Sequence, residues 1–223
     1  MNVVELMNDF VPTLHKTDRA STALTWMDEF KVRHLPVIDH QSQKYLGLVS
    51  ESELLNVDDD EKTISKIYKT IPRPFISENE HFFAALNFVT SLNLTVLPVV
   101  DNDQKYLGLI TCDNLLRQIA ETLSVANPGG IIILNINQND FSLAEIVRIV
   151  ESNDTKILST SVKTIPNNPN MIVTLKLNRI NIEPVIQTFN RFQYDIRAYY
   201  GENEKDEELI RERYNSLMTY LNV

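Results

Sequence analysis

Several residue types are scarce in this chain of 223 residues, and each scarcity excludes a class of protein. The one cysteine, Cys112, cannot form an internal disulfide, so the sequence predicts a cytoplasmic protein. Basic residues are outnumbered by acidic ones, and the net charge is −9. This balance argues against a nucleic-acid partner, because phosphate backbones are bound by clustered Lys and Arg.

Long apolar runs are also missing. No run approaches the ~20 residues that span a bilayer. The first residues, 1–5, lack the basic and apolar regions of an export signal. We therefore expect no membrane attachment.

Catalytic motifs are missing as well. The five glycines form neither a Walker A nor a dinucleotide-binding pattern, and there is no Gly-x-Ser-x-Gly motif. The four histidines have no i,i+4 spacing suited to a metal ion. We expect no enzymatic activity, no catalytic cofactor and no metal site.

The sequence does contain an internal repeat. Leu-Pro-Val-Ile-Asp at 35–39 returns as Leu-Pro-Val-Val-Asp at 97–101, and Lys-Tyr-Leu-Gly-Leu begins at both Lys44 and Lys105. The offset is 62 residues for the first block and 61 for the second, so one residue has been gained or lost in the intervening turn. Two copies at this period predict a duplicated small domain and not a solenoid array.

The two copies predict the same elements. Copy one begins with a brief strand at Val11–Leu14 and a helix that Thr17 or Asp18 caps. Hairpin strands and a short helix capped by Ser50 follow. Copy two repeats this plan with a strand at 75–76, a helix at 80–92, a hairpin and a helix from Thr111. The acidic run at 58–61 between the copies is predicted to be a solvated linker, with a metal site as the alternative.

After Glu121 the pattern changes. A breaker cluster at 127–130 precedes predicted strands at 131–136, 156–162, 171–177 and 194–200. Two helices alternate with them, the first opened by a Ser142–Glu145 capping box and the second capped by Asn181. This order is ferredoxin-like. An amphipathic helix at 206–221 is predicted to pack on its own domain, or alternatively on a second subunit.

The repeats resemble a tandem of CBS domains, the adenosine-nucleotide sensing module, and the following segment resembles an ACT domain, which often binds small molecules such as amino acids. Together they are similar to acetoin-utilisation-type CBS proteins. The resemblance implies an α+β fold: a pseudo-twofold pair of CBS domains, a βαββαβ ACT-like domain and a C-terminal helix. The corresponding ranges are 1–57, 62–124, 130–201 and 206–221.

The resemblance also implies nucleotide-binding positions. The family's adenine slot matches His34, Leu35 and Pro36 in copy one, and Val96, Leu97 and Pro98 in copy two. The family's Ser/Thr-x-x-Asp motif binds phosphate through the hydroxyl and ribose through the carboxylate. It matches Ser50 and Glu53 in copy one, and Thr111 and Asn114 in copy two. Glu keeps the charge and both acceptor oxygens, whereas Asn has one acceptor and no charge.

Cations differ between the copies too. At an offset of 62, Lys16, Arg19 and Arg33 are replaced by Glu78, His81 and Thr95. Because phosphates in a cleft need compensating cations, we expect AMP, ADP or ATP to bind one site per chain. That site comprises Lys16, Arg19, Arg33, His34, Leu35, Pro36, Ser50 and Glu53; a weaker second cleft comprises Val96, Pro98, Thr111 and Asn114.

Two classes of function fit these observations. The first is a non-catalytic regulatory protein that senses a nucleotide, with a second input at the ACT-like domain and a regulated protein partner. The second is a structural or interaction module whose clefts have lost their ligands. We expect a homodimer joined through Leu54–Leu55 and Leu115–Leu116. We expect no amino-acid binding at the glycine-free loop 137–142, which Phe141 crowds.

Overall fold

The computed structural model describes residues 1–56, 63–66 and 69–201, which divide into two compact units at Gln118/Ile119. The predicted linker at 58–61 and tail helix at 206–221 lie outside these residues. The first unit contains α1 (Ala20–Glu29), β1 (His34–Ile38), β2 (Tyr45–Ser50), α2 (Glu51–Leu55), β3 (Ile76–Ser77), α3 (Phe82–Leu92), β4 (Val96–Val100), β5 (Tyr106–Thr111) and α4 (Cys112–Thr122), the last of which runs past the division. No described helix is both long and apolar enough to cross a lipid bilayer.

The two repeats fold in the same way. β1 pairs antiparallel with β2, and β4 with β5, and each pair places its proline opposite a leucine, Pro36 opposite Leu48 and Pro98 opposite Leu109. Both hairpins shift register at the equivalent point, between Val37 and Ile38 in the first and Val99 and Val100 in the second. The predicted hairpins are therefore confirmed.

Two backbone hydrogen bonds relate the repeats by a pseudo-twofold. Tyr45 N donates to Gln104 O, and Tyr106 N donates to Gln43 O, both at 3.0 Å. An offset of 61 residues exchanges one bond for the other. The expected paired arrangement of the two CBS-like repeats is thus present.

The segment that leads into each repeat crosses to the other repeat. Leu48 N donates to Pro72 O at 2.9 Å, and Leu109 N donates to Asn8 O at 3.2 Å. Pro72 precedes β3, the first strand of copy two, whereas Asn8 precedes α1 of copy one. The outer side of each hairpin is therefore covered by a segment from the other copy.

Some predicted boundaries in the first unit were wrong. Neither Thr17 nor Asp18 caps α1; the N-cap is Arg19, and the Asp18 carboxylate instead accepts from His15 N at 2.7 Å. Such local turns compete with capping for the same side chains. The strand at Val11–Leu14 is reduced to one bridge from Leu14 to Val37. By contrast, Ser50 caps α2 as predicted.

The second unit has the predicted ferredoxin-like order. It contains β6 (Ile131–Asn137), α5 (Leu143–Glu151), β7 (Ile157–Thr164), β8 (Asn170–Leu177), α6 (Glu183–Arg191) and β9 (Asp195–Tyr200). The strands form an antiparallel sheet in the order β7-β8-β6-β9. Alternate residues of β6 and β8, such as Leu134 and Val173, are buried against both helices, which therefore cover one face.

The predicted capping box of α5 forms only in part. Ser142 Oγ accepts from Glu145 N at 3.3 Å, as expected. The Glu145 carboxylate, however, accepts from the Tyr194 hydroxyl at 2.9 Å. Tyr194 immediately precedes β9 and lies 49 residues from Glu145 in the chain. A local capping motif therefore does not predict this partner.

Candidate functional site

A cavity of about 620 Å³ opens in the first unit beside α2. Both repeats contribute to its wall, because the segment leading into copy two crosses over to copy one. The described lining residues are Arg33, His34, Leu48, Ser50, Glu51, Ser52, Glu53, Pro72, Pro74, Leu92, Asn93 and Leu94.

The start of α2 forms one polar end of the cavity. Ser50 N and Ser50 Oγ both donate to Glu53 Oε2 at 2.7 Å, and Glu53 N donates back to Ser50 Oγ at 3.3 Å. This reciprocal capping box holds the carboxylate in one orientation. One oxygen takes both bonds from Ser50, and no described residue donates to the other, Oε1. A ligand hydroxyl can therefore be accepted there.

His34 forms a second polar group of the wall. Thr95 N donates to its Nδ1 at 3.2 Å, and Thr95 Oγ1, which accepts from Arg33 N at 2.9 Å, lies 3.0 Å from the same nitrogen. A backbone amide can only donate, so Nδ1 carries no hydrogen and the neutral ring carries it on Nε2. Burial, and then the Arg33 guanidinium, lower the pKa of His34, while Glu53 opposes them. The neutral ring is favoured at pH 7.

The remaining polar groups of the wall are Arg33, Glu51, Ser52 and Asn93, and the rest of it is apolar. Leu48 and Leu94 are buried, and Pro72 and Pro74 add rigid surface. Arg33 is exposed. An apolar slot next to a fixed carboxylate and a guanidinium suits a ligand with a flat ring, vicinal hydroxyls and a small anionic group.

The structure brings together half of the copy-one residues named from the sequence. Arg33, His34, Ser50 and Glu53 line the cavity. Leu35 and Pro36 are buried within β1 and do not line it. Neither Lys16 nor Arg19 lines it: Lys16 Nζ lies 3.1 Å from Asp39 Oδ2, and Arg19 begins α1.

Sequence reasoning missed the wall that copy two supplies. Pro72, Pro74 and the Leu92–Leu94 turn belong to copy two, yet they face Ser50 and Glu53 of copy one across the cavity. A signal existed in Pro72-Arg73-Pro74, because two prolines favour an extended segment with few internal backbone bonds. No local sequence pattern, however, predicts that this segment crosses over to contact copy one.

The corresponding end of copy two is closed by Asn8. Asn114 Oδ1 accepts from Thr111 N at 3.4 Å and from the Thr111 hydroxyl, as Glu53 does from Ser50. It also accepts from Asn8 Nδ2 at 2.7 Å. Val96 and Pro98 are buried in β4. Asn8 Oδ1 is itself buried, with no hydrogen-bond partner among the described residues.

The second unit has a smaller cavity of about 260 Å³ near the loop after β6. Its described lining includes three carboxylates, Asp140, Glu145 and Asp195, but neither Lys nor Arg. Burial and then the Glu145 carboxylate raise the pKa of Tyr194 to about 12. Phe141 packs against the hydrophobic core.

The model of the CBS domain family matches residues 3–60 and 64–121. These ranges cover both repeats and more than half of the chain, so the protein belongs to the CBS domain family. The assignment agrees with the duplicated hairpins and their pseudo-twofold pairing.

Curated relatives match over the same part of the chain. A homoserine O-acetyltransferase from Methanohalobium evestigatum is 29% identical over 124 residues, which are 53% of this chain and 24% of the relative. An inosine-5'-monophosphate dehydrogenase from Methanocaldococcus jannaschii is 22% identical over 111 residues, which are 48% of this chain and 21% of the relative. The chain thus spans about a quarter or less of these relatives' length.

Solved structures of CBS pairs are similar as well. A CBS domain pair/ACT domain protein from Thermotoga maritima has a TM-score of 0.49 at 21% identity, covering 55% of this chain and 99% of that chain. CBSX2 in complex with AMP has a TM-score of 0.46 at 26% identity, covering 54% and 96%. The cytosolic domain of the magnesium channel MgtE in complex with ATP has a TM-score of 0.44 at 18% identity, covering 52% and 48%.

Proposed function

We propose that this protein is a non-catalytic regulatory protein that senses an adenosine nucleotide in the cavity beside α2. The observation that carries the proposal is the geometry of Glu53, whose Oε2 is held by Ser50 while Oε1 has no donor among the described residues. Membership of the CBS family, and the AMP and ATP complexes of two similar structures, support the same ligand class. The similarity to acetoin-utilisation-type proteins stays a prediction.

The ligand would bridge the two repeats. Its ribose hydroxyls would donate to Glu53, its base would lie between Leu48 and the copy-two residues Pro72 and Leu94, and its phosphate would meet Arg33. A ligand that contacts both repeats favours one arrangement of them over another. That preference is how binding would be transmitted to a regulated protein partner.

Titration of the full chain with AMP, ADP and ATP tests this function. A ligand that binds only the folded state raises the melting temperature in proportion to RT ln(1 + [L]/Kd). We expect the melting temperature to keep rising with the logarithm of ligand concentration above Kd, and calorimetric titrations to saturate at one ligand per chain. No rise at millimolar concentration with any of the three would favour the alternative, an interaction module without a nucleotide.

The polar contact in copy two is the observation that favours this alternative. Asn8 Nδ2 already donates to the Asn114 carbonyl oxygen, so in copy two a side chain of the protein occupies the place of a ligand hydroxyl. If copy one behaved in the same way, the repeated hairpins would serve only folding and association. The titration above separates the two functions, because an interaction module would show no nucleotide-dependent stabilisation.

We also propose a homodimer joined through α2 and α4. Only one leucine of each pair is available for such an interface. Leu54 and Leu115 are buried, at 1% and 2% exposed, whereas Leu55 and Leu116 are 67% and 66% exposed. Two equivalent apolar side chains on pseudo-twofold helices suit an isologous interface. Sedimentation should give twice 25.7 kDa, and Leu55→Glu with Leu116→Glu should give the monomer.

We propose that the ferredoxin-like unit is an ACT-like regulatory domain that does not take amino acids at its first loop. The cavity near this loop presents carboxylates, which would repel the carboxylate of an amino acid. Phe141 packs on the core beside the same loop. A saturable heat in calorimetric titrations with the common amino acids would contradict this proposal.

A further inference from the structure

The charges around the cavity beside α2 are unfavourable for a polyphosphate. One guanidinium, that of Arg33, faces two carboxylates, those of Glu51 and Glu53, so the described lining carries a formal charge of −1. In the described lining, the only other titratable group is His34, whose Nδ1 accepts a backbone hydrogen bond and whose ring is therefore neutral.

Three described cations that stand near the cavity in the sequence or were expected there, Lys16, Arg19 and Arg73, do not line it. Lys16, which the sequence placed at the phosphates, lies 3.1 Å from Asp39 and does not line the cavity. Arg19 begins α1 and does not line it either. Arg73 lies between two lining prolines, but it lines a separate pocket together with Glu80.

We infer that this cavity takes a nucleoside or a nucleoside monophosphate and discriminates against the di- and triphosphates. The inference rests on the proposed function and narrows its ligand class. One phosphate can pair with Arg33, which offers a planar set of donors. Each further phosphate adds negative charge that meets Glu51 and Glu53 without another cation in the described lining, and such like-charge contacts are costly.

Calorimetry on the full chain with adenosine, AMP and ATP in magnesium-free buffer tests the inference. We expect AMP to bind about tenfold or more tightly than ATP. ATP binding as tightly as AMP would overturn the ligand class while leaving nucleotide sensing intact. No binding of any of the three would overturn nucleotide sensing itself.

Two variants separate the charge effect from the general acidity of the chain. Arg33→Gln should reduce AMP affinity to about that of adenosine. Glu51→Gln should narrow the gap between AMP and ATP by several-fold. Glu121→Gln is the matched control, because it removes the same charge from an exposed residue at the end of α4 that does not line the cavity. Equal effects of Glu51→Gln and Glu121→Gln would contradict a role for the lining charges.

Discussion

The polar ends of the two repeats differ by one contact in an otherwise shared arrangement. In copy one, Ser50 donates twice to one oxygen of Glu53. In copy two, Thr111 donates twice to the one carbonyl oxygen of Asn114, and Asn8 adds a third bond at 2.7 Å. Pro72 contacts copy one at the position where Asn8 contacts copy two. Proline has no side-chain donor, so copy one lacks the third bond.

This difference separates folding from binding. The motif Ser/Thr-x-x-Glu/Asn begins a helix in both copies, because either side chain can accept from the residue three positions earlier. Only a carboxylate can do so with one oxygen and keep the second for a ligand. The retained motif in copy two is therefore explained by its structural role alone.

The largest expected effect tests whether the two copies are equivalent as folding units. Leu35 and Leu97 are both 0% exposed and occupy the same position in β1 and β4. Leu35→Ala and Leu97→Ala should each lower the free energy of unfolding of the first unit by about 2–5 kcal/mol. Urea unfolding measures both. If one substitution lowered the free energy of unfolding by less than half as much as the other, the two copies would not be equivalent folding units.

The next prediction tests whether the copies differ as binding sites. Glu53→Ala should abolish nucleotide-induced stabilisation, because the acceptor for the ribose hydroxyls is lost. Asn114→Ala should leave that stabilisation nearly intact. Each change also removes the side chain that accepts from the N-cap residue, a loss of about 1 kcal/mol, so the quantity to compare is the shift in melting temperature on adding AMP, and not the melting temperature itself. Equal losses of the shift, or two ligands per chain, would contradict the asymmetry.

The fold was largely predictable because its determinants are local or repeated. The motifs Leu-Pro-Val and Leu-Gly-Leu occur twice, and each occurrence predicts a hairpin. The order of strands and helices from Ile131 onward predicts the second sheet. The cavity was only half predictable. His34, Ser50 and Glu53 follow from the resemblance to the CBS family and Arg33 from the loss of cations in copy two, whereas Pro72 and Leu94 reach the cavity only because the two copies associate. Charge alone places Lys16 at the cleft, whereas in the fold its ammonium lies 3.1 Å from Asp39 Oδ2.

Glycine substitutions sharpen the comparison at the crossing segments. A Cβ on Gly47, whose φ is +156°, would lie 2.7 Å from Ile71 Cγ1 and 3.0 Å from Pro72 O, whereas one on Gly108 would meet Asn8 O at 3.4 Å. Gly47→Ala should cost about 1–3 kcal/mol through this overlap and the strained backbone. Gly108→Ala should change stability by about 0.5 kcal/mol or less. Chemical denaturation at equal protein concentration measures both, and similar costs would show that the two crossing segments pack alike.

The smallest expected effect concerns pH and His34, a titratable residue whose position in copy two is occupied by Val96. Protonation of Nδ1 removes the acceptor of the Thr95 amide, and burial lowers the pKa of His34 below its ordinary value of 6.5. Between the two pKa values the unfolded chain binds more protons than the folded one, so stability rises with pH across that window. The contribution is complete above about pH 6.5 and is lost as the pH falls through the lower, folded value.

His34→Asn isolates this contribution, because the asparagine Oδ1 can accept from Thr95 N in place of Nδ1 and does not titrate. We expect wild type to lose more stability than the variant when the pH is lowered from 7.5 to 5.5, measured as the difference between their urea midpoints. Other groups, including the remaining histidines, titrate in both proteins and cancel in that difference. Parallel midpoint curves would mean that the His34 to Thr95 contact does not distinguish the copies energetically, and that the functional asymmetry rests on Glu53 and Asn8 alone.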